Sequence, residues 1–203
     1  MSIILRIAHI VSLISKPFYL PLLGIAALFL FSILKILPWQ YRVLVIVMVW
    51  GCTVMLPTLI ISLYHKTQGM KMFRFVQKEK RVVPYAISII CYFLCYWLLT
   101  LINAHHTIKS VLVAALMVQM VCAIINIWWK ISAHTAAIGS FLGGLVAFSY
   151  IFVFNPIWWI CVILFVGGIV GTCRMILRQH TLGEVVGGYC VGFIGALLTI
   201  LLL

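Results

Sequence analysis

Seven apolar stretches, each about 17 to 22 residues long, follow one another along this chain of 203 residues. A stretch of that length can cross the hydrocarbon core of a bilayer as an α-helix. The composition excludes a soluble domain, because 66% of the residues are hydrophobic and only 8% are charged. The sequence therefore predicts an all-α, polytopic transmembrane helical bundle with six or seven spans, at 18–37, 43–64, 85–102, 109–128, 135–154, 157–173 and 185–203.

The segment 1–17 precedes the first of these spans and is too short to cross a bilayer as a helix. It places Arg6, His9 and Lys16 among isoleucine and leucine residues. This pattern is typical of an interfacial helix, which lies in the plane of the membrane surface. No small-residue cleavage site follows, so we do not interpret the segment as a signal peptide. We expect one membrane-embedded domain, 1–203, that begins with this interfacial helix.

The few polar residues of such a chain indicate where its function lies, because polar groups are costly inside a membrane. They form three clusters, at 65–85, 129–135 and 173–184. Two predicted spans separate each cluster from the next, so each pair of spans returns the chain to the face that it left. All three clusters are therefore expected on one face of the membrane.

The third cluster carries a cation, a histidine and a carboxylate, namely Arg174, His180 and Glu184. Glu184 is one of only two acidic residues in the chain. A histidine that is oriented by a carboxylate can attack phosphorus, and a second histidine can supply a proton. These residues favour phosphoryl transfer, with His180 as the nucleophile, oriented by Glu184 at i+4 on a helix. His134 of the second cluster would donate a proton to the departing oxygen.

Further cations on the same face suit a dianionic phosphate. Arginine presents planar, forked donors to phosphate oxygens, so Arg174 and Arg81 are candidate ligands. Either Arg74 or Lys78 would add positive charge to stabilise the equatorial oxygens in the transition state.

The three clusters together resemble the type 2 phosphatidic acid phosphatase (PAP2) superfamily of integral membrane lipid phosphatases, whose motifs are KxxxxxxRP, PSGH and SRxxxxxHxxxD. The resemblance covers roughly residues 70–190, which would form the motif-bearing core. The corresponding segments stand in the family's order, as Arg74-x6-Arg81 followed by Pro84, Ile131-Ser132-Ala133-His134, and Cys173-Arg174-x5-His180-x3-Glu184.

The resemblance implies a phosphohistidine on His180, with His134 as the general acid and Glu184 as the group that orients the nucleophile. It implies no metal and no other cofactor. The phosphate cradle that it implies consists of Arg74 or Lys78, Arg81, Ser132 with its neighbouring backbone amides, and Arg174.

The sequence departs from the family pattern in each motif. Arg74 stands in place of lysine, Ile131 and Ala133 in place of proline and glycine, and Cys173 in place of serine. The exchange that touches the mechanism is Glu184, where the family has aspartate. One extra methylene can still reach the imidazole, so we expect activity to be kept, although weakened or altered chemistry is an open alternative.

The sequence thus predicts a lipid phosphate or diphosphate phosphatase, in which water attacks the phosphohistidine. The alternative is a PAP2-type phosphotransferase that moves a phospho-headgroup to a lipid acceptor such as a sphingolipid. A third reading is a non-enzymatic membrane protein that holds lipid headgroups on its basic face. The expected partners are a lipid phosphate substrate and membrane lipids, and no nucleic acid is expected. The identity of the lipid and the oligomeric state stay open.

The sequence predicts a multi-pass protein of the bacterial inner (cytoplasmic) membrane, but it gives conflicting signs for the face of the site. Eleven of the fourteen cations fall on the face of the three clusters. The positive-inside rule places that face in the cytoplasm. Bacterial members of the PAP2 superfamily, which the chain resembles, generally work on the periplasmic face. The face of the membrane that carries the site therefore stays open.

Small residues of the predicted spans have a structural interpretation. We interpret the seven cysteines as small buried hydrophobic residues, because no CxxC occurs. Late glycines are expected to permit close helix packing, at Gly183, Gly187, Gly188, Gly192 and Gly195.

Overall fold

A computed structural model of the chain describes residues 3–15, 17–31, 33–68 and 79–203. Within these ranges the fold is all-α, and no β-strand occurs. Short 3-10 turns precede α2 and α3, and a π-helical segment precedes α4. The α-helices are α1 (Ile3–Ile14), α2 (Leu20–Phe31), α3 (Trp39–Trp50), α4 (Leu56–Gln68), α5 (Glu79–Leu101), α6 (His106–Trp128), α7 (Ala133–Phe152), α8 (Ile157–Ile176) and α9 (Leu182–Leu202).

Seven segments of the described chain are long and apolar enough to cross a membrane. This confirms the predicted all-α bundle of transmembrane helices. The first segment, Leu5–Leu30, differs from the predicted span at 18–37 because it includes α1. Within it, α1 and α2 are separate helices, joined by a 3-10 turn that begins at Pro17. Proline has no backbone N–H to continue a helix, so the break falls where the sequence predicts the end of the first helix.

The outward surface of the bundle is apolar, in agreement with a multi-pass membrane protein. Large side chains such as Phe165 and Ile90 expose 72% and 69% of their surface. Of the seven cysteines, all of which lie in the described ranges, five are buried and none forms a disulfide. The prediction of buried cysteines is therefore confirmed except for Cys161 and Cys190, which face outward.

Helices α7 and α9 form the most extensive helix pair of the bundle. A Cβ atom added to Gly192 would lie 1.9 Å from the carbonyl oxygen of Ala136, and one added to Gly188 would lie 2.4 Å from Oγ1 of Thr135. Only glycine permits such an approach of two backbones, and this confirms the predicted packing role of Gly188 and Gly192. At Gly183 a Cβ would meet only Trp129 at 3.8 Å, so close packing does not require glycine there. The close contact at Gly188 and Gly192 brings the first turns of α7 and α9 together, where the second and third polar clusters lie.

Candidate active site

The end of α8 fixes the path of the chain toward His180. The Arg178 amide donates to the Met175 carbonyl at 2.9 Å, and the Gln179 amide donates to the Arg174 carbonyl at 3.1 Å. This pair of hydrogen bonds is a Schellman motif, with Arg178 in the left-handed conformation at φ 51°. Glycine usually occupies that position, because the left-handed conformation costs a residue with a Cβ atom a modest amount of free energy. Arg178 adopts it despite this cost. The chain leaves α8 sharply and reaches His180 two residues later.

Helix α9 begins with a capping box directly after His180. The Thr181 hydroxyl accepts from the Glu184 amide at 3.4 Å, and Glu184 Oε2 accepts from the Thr181 amide at 3.2 Å. The same Oε2 lies 2.8 Å from Nδ1 of His180. The predicted contact between His180 and Glu184 is thus present. Its local structure differs from the prediction, because His180 lies before the helix and the carboxylate folds back toward it.

The contact with Glu184 sets the tautomer of His180. A carboxylate accepts hydrogen bonds, so Nδ1 carries the proton and Nε2 keeps its lone pair. The His180 side chain exposes only 6% of its surface. Burial lowers the pKa of His180, the Glu184 contact opposes this, and the positive charges of Lys130 and Arg174 lower the pKa further. The imidazole is therefore held neutral near neutral pH, which is the nucleophilic form.

Two contacts join the second cluster to the third. The Lys130 ammonium donates to the Gln179 carbonyl oxygen. The Ser132 amide donates to the Glu184 carbonyl oxygen at 3.2 Å. These contacts place both clusters at the same end of the bundle, as the span count predicts. Lys130 was missed as a site residue, although its place in the second cluster was a signal for it.

Ser132 serves as the N-cap of α7. Its hydroxyl accepts from the Thr135 amide at 3.5 Å, and its side chain is fully buried. Its own amide is already bound to the carbonyl of Glu184. Ser132 therefore lies beneath the site as a capping residue, and its part in a phosphate cradle stays a prediction.

Helix α1 contacts the site through Ser12. Arg174 Nη1 donates to the Ser12 hydroxyl at 2.6 Å, and His134 Nε2 lies 3.1 Å from the Ser12 carbonyl oxygen. Arg174 and His134 are thus brought within the reach of a single residue. The signal for Ser12 is weak but present, since Ala8 and Ser12 share one face of α1 and Ile7 and Ile10 share another.

Asn126, a further residue not predicted from the sequence, connects the start of α5 with the loop before α7. Its side-chain amide donates to the Tyr85 hydroxyl at 3.3 Å and to the Cys122 carbonyl at 2.8 Å. Its Oδ1 accepts from the Ile131 amide at 3.3 Å. Tyr85 is the last residue of the first polar cluster, so this end of that cluster lies at the same end of the bundle as the other two. A polar residue within an apolar span was its signal.

Of the three candidate cations of the first motif, the structure describes only the backbone of Arg81. Arg81 lies in the first turn of α5, and its side chain is outside the described residues. Arg74 and Lys78 also lie outside the described residues. Their role in phosphate binding stays a prediction.

The chain was compared with protein-family models, with curated proteins and with solved structures, and none of them matches it.

Proposed function

We propose that this protein is an integral membrane phosphatase for lipid phosphates or diphosphates, which works through a phosphohistidine on His180. The observation that carries the proposal is the contact of 2.8 Å between His180 Nδ1 and Glu184 Oε2. It supplies a neutral imidazole with a free lone pair beside the charges of Lys130 and Arg174. The PAP2 resemblance of the three clusters supports the same chemistry.

In the first proposed step, Nε2 of His180 attacks phosphorus and a P–N bond forms. The bond between phosphorus and the oxygen of the leaving group breaks; that oxygen keeps the electron pair of the bond and takes a proton from His134. Glu184 stabilises the positive charge that develops on the imidazole, since it holds the proton on Nδ1. Arg174 binds the equatorial oxygens of the transferring group.

In the second proposed step, a water oxygen attacks the phosphorus of the phosphohistidine. The P–N bond breaks, and its electron pair returns to Nε2 of His180. His134, now neutral, takes the proton from the water. The products are inorganic phosphate and, from a lipid monophosphate, a lipid alcohol; a lipid diphosphate gives inorganic phosphate and a lipid monophosphate.

The position of the site constrains its substrate. His134 lies in the first turn of α7 and Arg174 in the last turn of α8, and both helices are long and apolar enough to cross a membrane. A substrate can therefore present a phosphate to the site while its hydrocarbon chain stays among the helices or in lipid. This favours amphiphilic substrates over soluble phosphate esters. We also propose that the protein lies in the bacterial inner membrane.

The direct test is an assay of the purified protein with phosphatidate, polyprenyl diphosphate and a soluble ester such as glycerol phosphate. We expect inorganic phosphate from at least one lipid and little from the soluble ester. Addition of a lipid alcohol acceptor separates hydrolysis from transfer, because a transferase would form a new phospholipid. Release of phosphate from none of the lipids would contradict the proposal.

A Glu184→Gln variant is expected to lower kcat at least about 100-fold, because the amide no longer stabilises the imidazolium; the equivalent change in a serine protease costs about 10⁴-fold. The carboxylate also raises the pKa of His180. Its loss lowers that pKa further, so the acid limb of the pH profile of kcat/KM should move to lower pH.

The matched control for this variant is Thr181→Ala, which removes the other half of the capping box and keeps the carboxylate. We expect it to destabilise the fold by about 1 kcal/mol and to leave the acid limb in place. An acid limb that moves equally in both variants would show that Glu184 acts only as a helix cap.

A Ser12→Ala variant is expected to lower KM for the lipid phosphate about three- to tenfold. The Ser12 hydroxyl accepts a hydrogen bond from Arg174 and so competes with the phosphate for that side chain. A hydrogen bond to a charged group is worth about 1.5–3 kcal/mol, and part of this is regained when the phosphate no longer has to displace Ser12. The control is Ser15→Ala, whose hydroxyl bonds to the Val11 carbonyl within its own segment. A higher KM in Ser12→Ala would mean that Ser12 positions Arg174 and does not compete with substrate.

A further inference from the structure

A large, half-open cavity lies between helices of the bundle, and none of the candidate active-site residues lines it. Its volume is about 390 Å³, within the range of about 300–1,000 Å³ that small-molecule sites occupy. Helices α2, α6, α7, α8 and α9 line it, and nearly all the side chains that face it are apolar. Ser140, the residue with a hydroxyl among them, already donates to the Ala136 carbonyl at 2.7 Å. An apolar space of this size deprives its lining of dispersion contacts unless a hydrocarbon fills it.

A second, smaller cavity of about 30 Å³ adjoins the first. The two share four lining residues, among them Pro21 and Ser140. The small cavity borders Ala133, the first residue of α7, and the large one borders Phe152, the last. Together they follow the length of a 20-residue helix, which is about 30 Å.

Two buried polar groups line the small cavity without a hydrogen-bond partner. They are the Tyr92 hydroxyl and Oε1 of Gln119. Tyr92 is 1% exposed, so solvent at the surface does not reach it. An unsatisfied buried polar group is costly, and natural proteins usually provide a partner for it. Tyr92 can donate and Gln119 Oε1 can only accept, so a hydroxyl, which both accepts and donates, satisfies both.

We propose that the two cavities form one binding site for a long-chain lipid alcohol. The hydroxyl lies between Tyr92 and Gln119, and the hydrocarbon chain extends along α7 through the large cavity. Binding at this site requires no catalysis, so it stands independently of the proposed phosphatase. A lipid alcohol is also the class of product that such a phosphatase would release.

The test uses two probes with the same long chain and the same photoreactive diazirine, one a primary alcohol and the other the matched alkane. Purified protein is titrated with each probe in lipid nanodiscs, irradiated and digested. Mass spectrometry then locates and quantifies the labelled peptides. We expect saturable labelling of α6 and α7 by the alcohol. The apparent affinity from this titration should be at least tenfold higher for the alcohol than for the alkane. The His180→Gln variant should bind the alcohol with unchanged affinity, which separates this site from the catalytic one.

Two kinds of variant test the two halves of the site. Gly144→Leu should reduce labelling by both probes at least tenfold, because a Cβ at Gly144 meets only Ile200 Cδ1 at 3.4 Å and the longer side chain fills the cavity. Tyr92→Phe should remove the preference for the alcohol and leave labelling by the alkane. Gly168→Leu is the control, since a Cβ there meets nothing within 4 Å. Ala27→Leu provides a second filling variant if Gly144→Leu does not fold.

Three results would overturn the proposal. The first is equal labelling of wild type and both filling variants. The second is equal affinity for the alcohol and the alkane, which would mean that the small cavity holds only water. The third is labelling confined to the outward, lipid-facing surface of the helices.

Discussion

A His180→Gln variant is expected to release phosphate from the lipid substrate about 10⁴- to 10⁶-fold more slowly than wild type, the range seen when a nucleophile is removed from an enzyme of known mechanism. Glutamine has no nitrogen lone pair that can attack phosphorus, so the proposed covalent intermediate cannot form. The measurement is inorganic phosphate released per unit time at saturating substrate. A second readout is an acid-labile, alkali-stable phosphoprotein, which rapid quenching should trap in wild type and not in the variant.

The control for this variant is His106→Gln. His106 is exposed and begins α6, at the end of that helix that lies away from the site. We expect its phosphate release to equal that of wild type. If His180→Gln keeps its activity while it remains folded, His180 is not the nucleophile and the proposed mechanism is wrong.

A Gly192→Ala variant is expected to lower the stability of the protein strongly. The new Cβ would lie 1.9 Å from the Ala136 carbonyl oxygen and 2.8 Å from the Ser140 amide nitrogen. Both are backbone atoms of α7, so the clash cannot be relieved by a side-chain rotation. Overpacking typically costs about 1–3 kcal/mol, and separation of two helices should place this variant at or above the upper end. Thermal unfolding in detergent, followed by tryptophan fluorescence, measures the loss.

Gly168→Ala is the matched control, because Gly168 lies in the middle of α8 and faces outward. Its new Cβ would meet nothing within 4 Å. Alanine is favoured over glycine in a helix by up to about 1 kcal/mol, so this variant should unfold at the same or a higher temperature. Equal destabilisation by the two substitutions would refute the argument from close approach.

Much of the fold could be predicted because bilayer thickness imposes a length on each apolar segment. The contact between His180 and Glu184 was likewise readable from the spacing of four residues. The prediction that His180 lies on the same helix as Glu184 was wrong for a physical reason. Thr181 is the N-cap of α9, so the helix begins after His180. The pattern Thr-x-x-Glu is itself the signature of a capping box, so the correct helix start was also present in the sequence.

The contacts of Ser12 could not be predicted in the same way. Ser12 lies 122 residues from His134 and 162 residues from Arg174 along the chain. Helical periodicity shows which face of α1 is small and polar, but not which helix packs against it. Apolar surfaces of membrane helices resemble one another and resemble lipid, so hydrophobicity does not select the partner.

The way in which α7 and α9 are joined has a consequence for inhibitor design. A backbone hydrogen bond links Ser132 to Glu184, and glycines bring the two helices into close contact. These contacts make α7 and α9 a single stiff unit that carries His134 and Glu184, whereas α1 touches the proposed catalytic groups through Ser12. Displacement of α1 would break the contacts of Ser12 and leave those between α7 and α9 in place. For the proposed phosphatase, we expect a small molecule wedged beneath α1 to release Arg174 from Ser12 and raise the activity, and one that clamps α1 onto α8 to lower it.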